Sequence, residues 1–407
     1  MRSPRALVLR TEKPLFERAR VRFRTEVDFI DLVESRSPVL GARAVRAFAP
    51  DGDTLAVVDS VMAHTPFSYA VATSEQDLAF GGFLRTRYGL PGLSYDQAVR
   101  ATNKARMKQT LGDVLPTAAF WLAGDFLELA EHGPVPPRVV IKPLSGSAGR
   151  GVRMLETAEA LRFLGTADSL YLVEEAVDVD CELHCDGVVR DGELRFVQPS
   201  VYSEPLLRTI GGNCASYHLA PGDRRREAAV AAARKLVGAV DATDFVFHLE
   251  LFESGGELLF GEIGLRPAGG GVAESIGRFY GVNLWEEHLR TQIGLPSGLD
   301  AAPDPNTGTD PNSALDPNSG SRHRGVIGVS IHALRGRTLS DAQILELPGV
   351  VSVSPGSSKV RQAAKDGSTS AFTHLVFFDR ESAAGARQTF TDLHALCTRR
   401  EGRVRTW

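Results

Sequence analysis

FVFHLELFESGGELLFGEIGLRPAGGG, residues 245 to 271, decides how this 407-residue chain is read. VFHLELF alternates and is rich in β-branched and aromatic residues, Ser254-Gly255-Gly256 follows, and ELLFGEI runs back. That pattern predicts a β-hairpin. Glu250 lies on the first strand and Glu262 on the second, with Arg266, a proline and a run of glycines behind them. If Glu253 pairs with Glu257, Glu250 falls opposite Phe260, and Glu262 becomes its diagonal neighbour on the same face. Like charges that close repel unless the side chains diverge or something positive sits between them. A hard divalent cation such as Mg²⁺, bound by carboxylates plus substrate phosphates, would resolve the conflict. A surface hairpin with solvated glutamates fits these residues as well, so the rest of the chain has to decide.

Length allows about two to four domains and an ample core. Hydrophobic content of 43% and charged content of 24% are ordinary for a globular protein. A net charge of −4 gives no basic field for nucleic acid. No apolar run approaches the ~18 residues of a membrane span. The first residues, MRSPRALVLRTEKPLFERARVRF, carry charges throughout and show no signal-peptide stretch, so a cytoplasmic location is expected. Of Cys181, Cys185, Cys214 and Cys397 only the first two are close, which favours free thiols over a zinc site.

Residues 1 to about 95 read as an open α/β sheet: strands at Ala6–Leu9, Leu55–Val58 and Tyr69–Ala72, then a helix from Glu75 through Leu84. No G-x-G-x-x-G follows the first strand, so dinucleotide binding there is unsupported. Residues 97–112 predict one helix, with Lys104 and Lys108 a turn apart; by itself the pair reads as a solvated basic face. The strand Arg138–Pro143 ends in Lys142 and runs into the small-residue loop Leu144–Val152. Glycines let backbone N–H groups approach an anion, and the lysine adds a point charge, which favours phosphate over a plain turn. Strands follow through 170–198, with Glu174-Glu175-Ala176-Val177 joining two sheet segments; Cys181, His184 and Cys185 read as packing or surface residues. Residues 200–222 read as a long loop carrying Tyr202, Arg208, Asn213 and His218. Arg224–Val240 is an amphipathic helix, and Glu274–Ile293 is largely helical. Three copies of Asp-Pro-Asn within 301–321 predict a disordered linker, and strands and a closing helix recur from 324 to 395.

The order of a helix lysine, a strand lysine with a small-residue loop, a Glu-Glu segment, two strands each bearing a glutamate, and an arginine resembles the ATP-grasp superfamily. Within it the chain is most similar to carboxylate–amine ligases, the group that includes L-amino-acid ligases (dipeptide synthetases). The likeness spans nearly the whole chain and is strongest over 98–290, where E-I-x-x-R-P-x-G-G and the upstream H-x-E carry it. The resemblance implies an α/β (α+β) ATP-grasp fold: an open Rossmann-like α/β domain over 1–96, an ATP-grasp domain over 97–298 with a lid at about 113–176, a linker over 299–323, and a small capping subdomain over 324–407. It implies ATP and Mg²⁺ (or Mn²⁺) as cofactors. Lys104 and Lys142 would contact phosphates, and Ser145, Gly146, Ser147, Gly149 and Gly151 would lie in the mobile loop over them. Glu174, Glu175 and Val177 would form the adenine hinge, and Glu182 would reach the ribose. Glu250 and Glu262 would hold the metal, and Arg266 would neutralise an acyl-phosphate and its tetrahedral successor. One departure matters: Gly264 stands where such proteins often place a ligating Asn. The implied partners are a small-molecule carboxylate and an amine, with no nucleic acid or membrane, and homodimerisation is common for such folds. Two alternatives stay open, a different acceptor (carboxylating or purine-type) and a non-catalytic nucleotide-binding module.

Overall fold

The computed structural model describes residues 3–11, 13–35, 37, 39–167, 170–209, 214–300, 326–331, 340–355, 374–380 and 383–398. Short apolar strands separated by helices build the first sheet. Its elements are β1 (Arg5–Arg10), α1 (Pro14–Val21), β2 (Asp28–Glu34), β3 (Arg43–Val45), α2 (Gly52–His64), β4 (Tyr69–Ala72) and α3 (Glu75–Tyr88). The strands run parallel in the order β3-β2-β1-β4, so the chain steps outward from β1 to β3 and then crosses back to β4 on the other side of β1. Leu55–Val58, expected as a strand, lies inside α2 instead. The Asp51 carboxylate caps that helix by accepting from Thr54 N at 2.8 Å, and Thr54, Val58 and Val61 are buried at helical spacing.

The single helix expected over 97–112 is two helices, α4 (Tyr95–Thr102) and α5 (Lys104–Leu111). Asn103 leaves helical geometry at φ −92°, ψ 111°, and its side chain accepts from Ala105 N and Arg106 N to start α5 afresh. A second, antiparallel sheet follows from β5 (Phe120–Leu122), α6 (Ala123–His132), β6 (Arg138–Pro143), β7 (Arg153–Glu156), α7 (Thr157–Leu164) and β8 (Tyr171–Glu175), in the order β5-β8-β6-β7. Phe126, Val139, Ile141, Ala160 and Val173 form its own small core.

The third sheet uses β9 (Cys181–Arg190), β10 (Glu193–Tyr202), β11 (Cys214–His218), α8 (Arg224–Ala239), β12 (Phe245–Ser254), β13 (Glu257–Gly264), α9 (Val272–Tyr280), α10 (Leu284–Gln292), β14 (Val326–Ile331), α11 (Asp341–Leu345), β15 (Val350–Pro355), β16 (His374–Asp379) and α12 (Ala383–Thr398). Its order is β13-β12-β9-β10-β11-β14-β16-β15, so the tail strands continue the sheet through β11. The long loop expected over 200–222 is thereby corrected: β10 runs to Tyr202, a 3₁₀ turn spans Leu206–Arg208, and β11 follows. Asn213 and the Asp-Pro-Asn tract lie outside the described residues.

Period-two alternation divides this sheet into two faces. Leu183, Cys185, Val197, Val201, Leu249 and Leu251 pack with α8 in the largest core. Along the opposite face Val188, Phe196 and Val246 pack with Ile276 and Trp285. Toward the other end of the same strands that face turns polar, with Glu182, His184 and Asp186 on β9 and His248 and Glu250 on β12.

The hairpin turns on Gly255-Gly256 alone, both with positive φ (57° and 87°), as a tight two-residue turn needs. Ser254 therefore pairs with Glu257 and Glu253 with Leu258, one step from the expected register. A bulge between Glu250 and Leu251 then shifts the ladder, leaving Gly261 as the extra residue and bringing Glu250 opposite Glu262. The two glutamates are thus direct partners, closer than the diagonal relation expected. A Cβ on Gly261 would meet the Glu250 carbonyl oxygen and the Phe252 ring at 2.9 Å each. Gly261→Ala should therefore lower stability by about 1–3 kcal/mol in urea unfolding; an unchanged midpoint would mean that the bulge is not sterically fixed.

Candidate functional site

The second and third sheets face each other across one cavity, reached by side chains from α5, β6, the loop after β6, β8, β9, β12 and β13. Lys104, Lys142, Glu174, Glu182, Glu250 and Glu262 all line it, as do Ser145, Gly146, Ser147, Gly149, Glu175 and Val177. Gly151 and Arg266 lie outside this lining. In the loop, Gly146, Ala148, Gly149 and Gly151 all have left-handed φ, a backbone that turns repeatedly beside the cavity.

The lysines arrive by the break at Asn103, which makes Lys104 the first residue of α5, with its backbone N–H donating to Leu144 O at 2.8 Å. Lys104 and Lys108 are 5% and 2% exposed, so the solvated basic face read from their spacing is a buried one. Lys104 Nζ donates to Glu262 Oε2 at 2.5 Å. Lys108 Nζ donates to Thr117 Oγ1 at 2.6 Å and lies 3.5 Å from Glu174 Oε1. Burial pulls Lys108 down to about 8. Lys142 Nζ reaches Glu174 Oε2 at 2.9 Å. Burial alone would raise the Glu174 carboxyl, but Lys142 and Lys108 hold it below its ordinary value. Glu174 is thus the shared counter-ion of two lysines. Beyond it, Glu175 N and Ala176 N are committed to Ala119 O and Arg138 O.

Across the cavity, burial works against the ionised Glu262, yet Lys104 and Lys142 hold it down at about 2. Glu182 behaves oppositely. Burial, then the charge of Glu250, pushes it up to about 8, and its Oε2 accepts from Leu206 N at 2.8 Å. Two opposed carboxylates offering only oxygen fit a hard divalent cation. Below them runs a chain that the sequence reading missed. Asp186 accepts from His184 Nδ1 at 2.6 Å and from His248 Nδ1 at 2.9 Å, and His248 Nε2 lies 3.3 Å from Glu250 Oε1. Burial opposes a charged His248, but Asp186 raises it to about 10. His184, read earlier as a packing or surface residue, is fully buried with Nε2 2.7 Å from Ser216 Oγ. Its signal was present in C-E-L-H-C-D, where Glu182, His184 and Asp186 alternate onto one face.

Arg266 is anchored from the first sheet. Its Nη2 donates to Glu75 Oε2 at 2.9 Å and its Nη1 to Pro267 O at 3.0 Å. Glu75 opens α3 and is only 4% exposed; burial raises its pKa although Arg266 opposes the shift. Nothing local marked Glu75, which lies 191 positions from its partner. A side chain at Gly264 would start 3.4 Å from Glu75 Oε2, in contact with that carboxylate. Of the residues noted in the 200–222 segment, Arg208 lines the cavity, the Tyr202 ring lies tilted against His184 with centroids 4.6 Å apart, and His218 is buried on β11, 3.1 Å from Ser275 Oγ.

No family model matches the chain. An L-amino acid ligase from Bacillus licheniformis superposes with a TM-score of 0.72 over 96% of this chain and 97% of that one, at 17% identity. A carboxyaminoimidazole ribonucleotide synthase from Aspergillus clavatus, complexed with ATP, gives 0.66 over 96% and 97%, at 16% identity. The chain has the ATP-grasp fold. By sequence the chain is 29% identical over 261 residues to an L-arginine-specific L-amino acid ligase from Bacillus subtilis, covering 60% of the chain and 62% of that relative's length. No described helix of the chain is long and apolar enough to cross a membrane.

The Glu182 carboxyl gives a test of this electrostatic arrangement. Its folded-state value of about 8 exceeds the ordinary 4.5, so between those values the folded chain holds a proton that the unfolded chain has lost. Its contribution to stability therefore falls as pH rises through that window. Glu182→Gln should gain stability relative to the parent as pH rises from about 5 to 8, read by urea unfolding of both proteins. A pH-independent difference would contradict the burial argument.

Proposed function

We propose that this protein is an ATP- and Mg²⁺-dependent ligase that activates a carboxylate, an amino acid, as an acyl-phosphate and joins it to an amine, releasing ADP and phosphate. The observation that carries this is the pairing of Glu250 with Glu262 across the bulge, in a cavity that also holds Lys104 and Lys142. The likeness to amino-acid ligases in sequence and in fold supports the acceptor class. Residues 97–298 would form the nucleotide-binding unit, with the sheet inside about 113–176 as its lid, and a cytoplasmic site of action suits the chemistry.

In this proposal the adenine lies among the apolar side chains Val140, Met154, Val179, Leu207 and Phe252. Since Glu175 N and Ala176 N are already bonded, Val177 is the position left on that segment to meet the base. Lys142 and Lys104 face the phosphates; each now leans on a carboxylate and would share its charge with an arriving anion. The backbone of Ser145–Gly151 adds N–H donors on the opposite side. Glu250 and Glu262 would hold Mg²⁺ or Mn²⁺, which when bound supplies positive charge to phosphate oxygens.

A carboxylate resists amine attack because its leaving group would be oxide, and phosphorylation supplies a better one. The work left to the chain is to position the partners and to meet developing negative charge with fixed cations. Arg266 does so at the acyl oxygen, its guanidinium held in place by Glu75 and Pro267 O. Closure of the loop and the tail would keep water from the acyl-phosphate.

The test is ADP release from the purified protein with Mg²⁺-ATP and amino acids offered in pairs, with mass spectrometry of the products. An amide product together with ADP is expected, and Glu262→Gln should abolish both. Bicarbonate-dependent ADP release would indicate the carboxylating alternative, and ATP binding without turnover would indicate a non-catalytic module.

A further inference from the structure

His184, Asp186 and His248 lie together on the polar face of the third sheet, their ligand atoms within 4.8 Å of one another. Such a trio is close enough to hold a metal of its own. The hydrogen bonds argue otherwise. Both Asp186 oxygens are occupied, Oδ2 by His184 and Oδ1 by His248, and the second nitrogen of His184 is occupied by Ser216. Asp186 and His184 are fully buried, and the Tyr202 ring covers His184. An ion there would have to displace three hydrogen bonds inside a closed interior. The one contact that leaves the trio toward the cavity is His248 Nε2 to Glu250 Oε1, at 3.3 Å.

The register makes that contact structural. His248 pairs with Asp186, and Glu250 pairs with His184, so two successive rungs on the same face of the β9–β12 ladder place aspartate, imidazole and glutamate in sequence. His248 thus stands between two carboxylates, Asp186 at its Nδ1 and Glu250 at its Nε2. The ring lies against one oxygen of Glu250, Oε1, at 3.3 Å. We propose that His248, held by Asp186, is a positioning residue that fixes the Glu250 carboxylate for its metal, and that the trio is not a separate metal centre. This rests on the assignment of Glu250 as a metal ligand made above.

The test uses the full chain with Mn²⁺ as probe and ADP present, the free ion being counted by electron paramagnetic resonance. ADP affinity without metal is measured alongside. His248→Ala is expected to weaken Mn²⁺ binding by about 10- to 100-fold while metal-free ADP binding is retained. Asp186→Asn should weaken it in the same direction. His248→Gln keeps a donor toward Glu250 and should recover part of the loss; if the alanine variant does not fold, as lost ADP binding would show, the glutamine variant decides through a smaller loss of its own. Mn²⁺ affinity equal to the parent's in the folded variants overturns this inference alone. So does a further Mn²⁺ equivalent in the parent that disappears in Asp186→Asn. A parent that binds no Mn²⁺ with ADP overturns the assignment of Glu250, and this inference with it.

Discussion

Two carboxylates forced to face each other set the terms for the rest of the structure. Glu250 and Glu262 are direct strand partners because one glycine is bulged out of the ladder between them. Like charges directly opposite each other on paired strands destabilise the pairing. The fold answers with a cation for each, Lys104 on Glu262 and His248 on Glu250, so the site is electrically prepared before any ligand arrives. The same logic recurs around it. Glu174 serves two lysines, and Glu75 holds Arg266. The lysine and arginine pairs join different elements, which ties α3, α5, β6, β8 and the end of β13 into one arrangement.

That arrangement explains why three sheets are needed. The third sheet supplies the acidic floor on rigid strands, the second supplies Lys142 and the small-residue loop opposite, and the first reaches in through Glu75. Apolar packing closes the far face of the third sheet and the far end of its polar face, so ionisable groups cluster where the sheets converge. A cavity of that kind, lined by convergent charges of both signs, suits a charged ligand carrying its own cation.

Much of this was legible in the sequence because it is local. Alternation in VFHLELF and ELLFGEI, the turn glycines, and a lysine closing an apolar strand before a small-residue loop each encode their own geometry. Where the reading went astray, a local pattern was ambiguous or a distant partner decided. Leu55–Val58 is four apolar residues that suit a strand or a helix; the Asp51 cap and burial of one helical face settled it. Residues 97–112 carry helical periodicity throughout, but Asn103 bonds forward to the next turn and breaks it. The hairpin register depended on a bulge, invisible without the Phe252 ring and Glu250 carbonyl that exclude a side chain at Gly261. Lys108, Glu75 and the histidine chain lay beyond reach because their partners are 66, 191 and 62 positions away, so nothing near them in sequence distinguishes an ion pair from a solvated charge.

The most direct measurement is a crystal structure of the protein with a non-hydrolysable ATP analogue and Mn²⁺, using anomalous scattering to locate the metal. A manganese peak is expected between Glu250 and Glu262, in contact with phosphate oxygens, with Lys142 on the same phosphate chain. A peak among His184, Asp186 and His248, or a nucleotide seated away from the two glutamates, would contradict it.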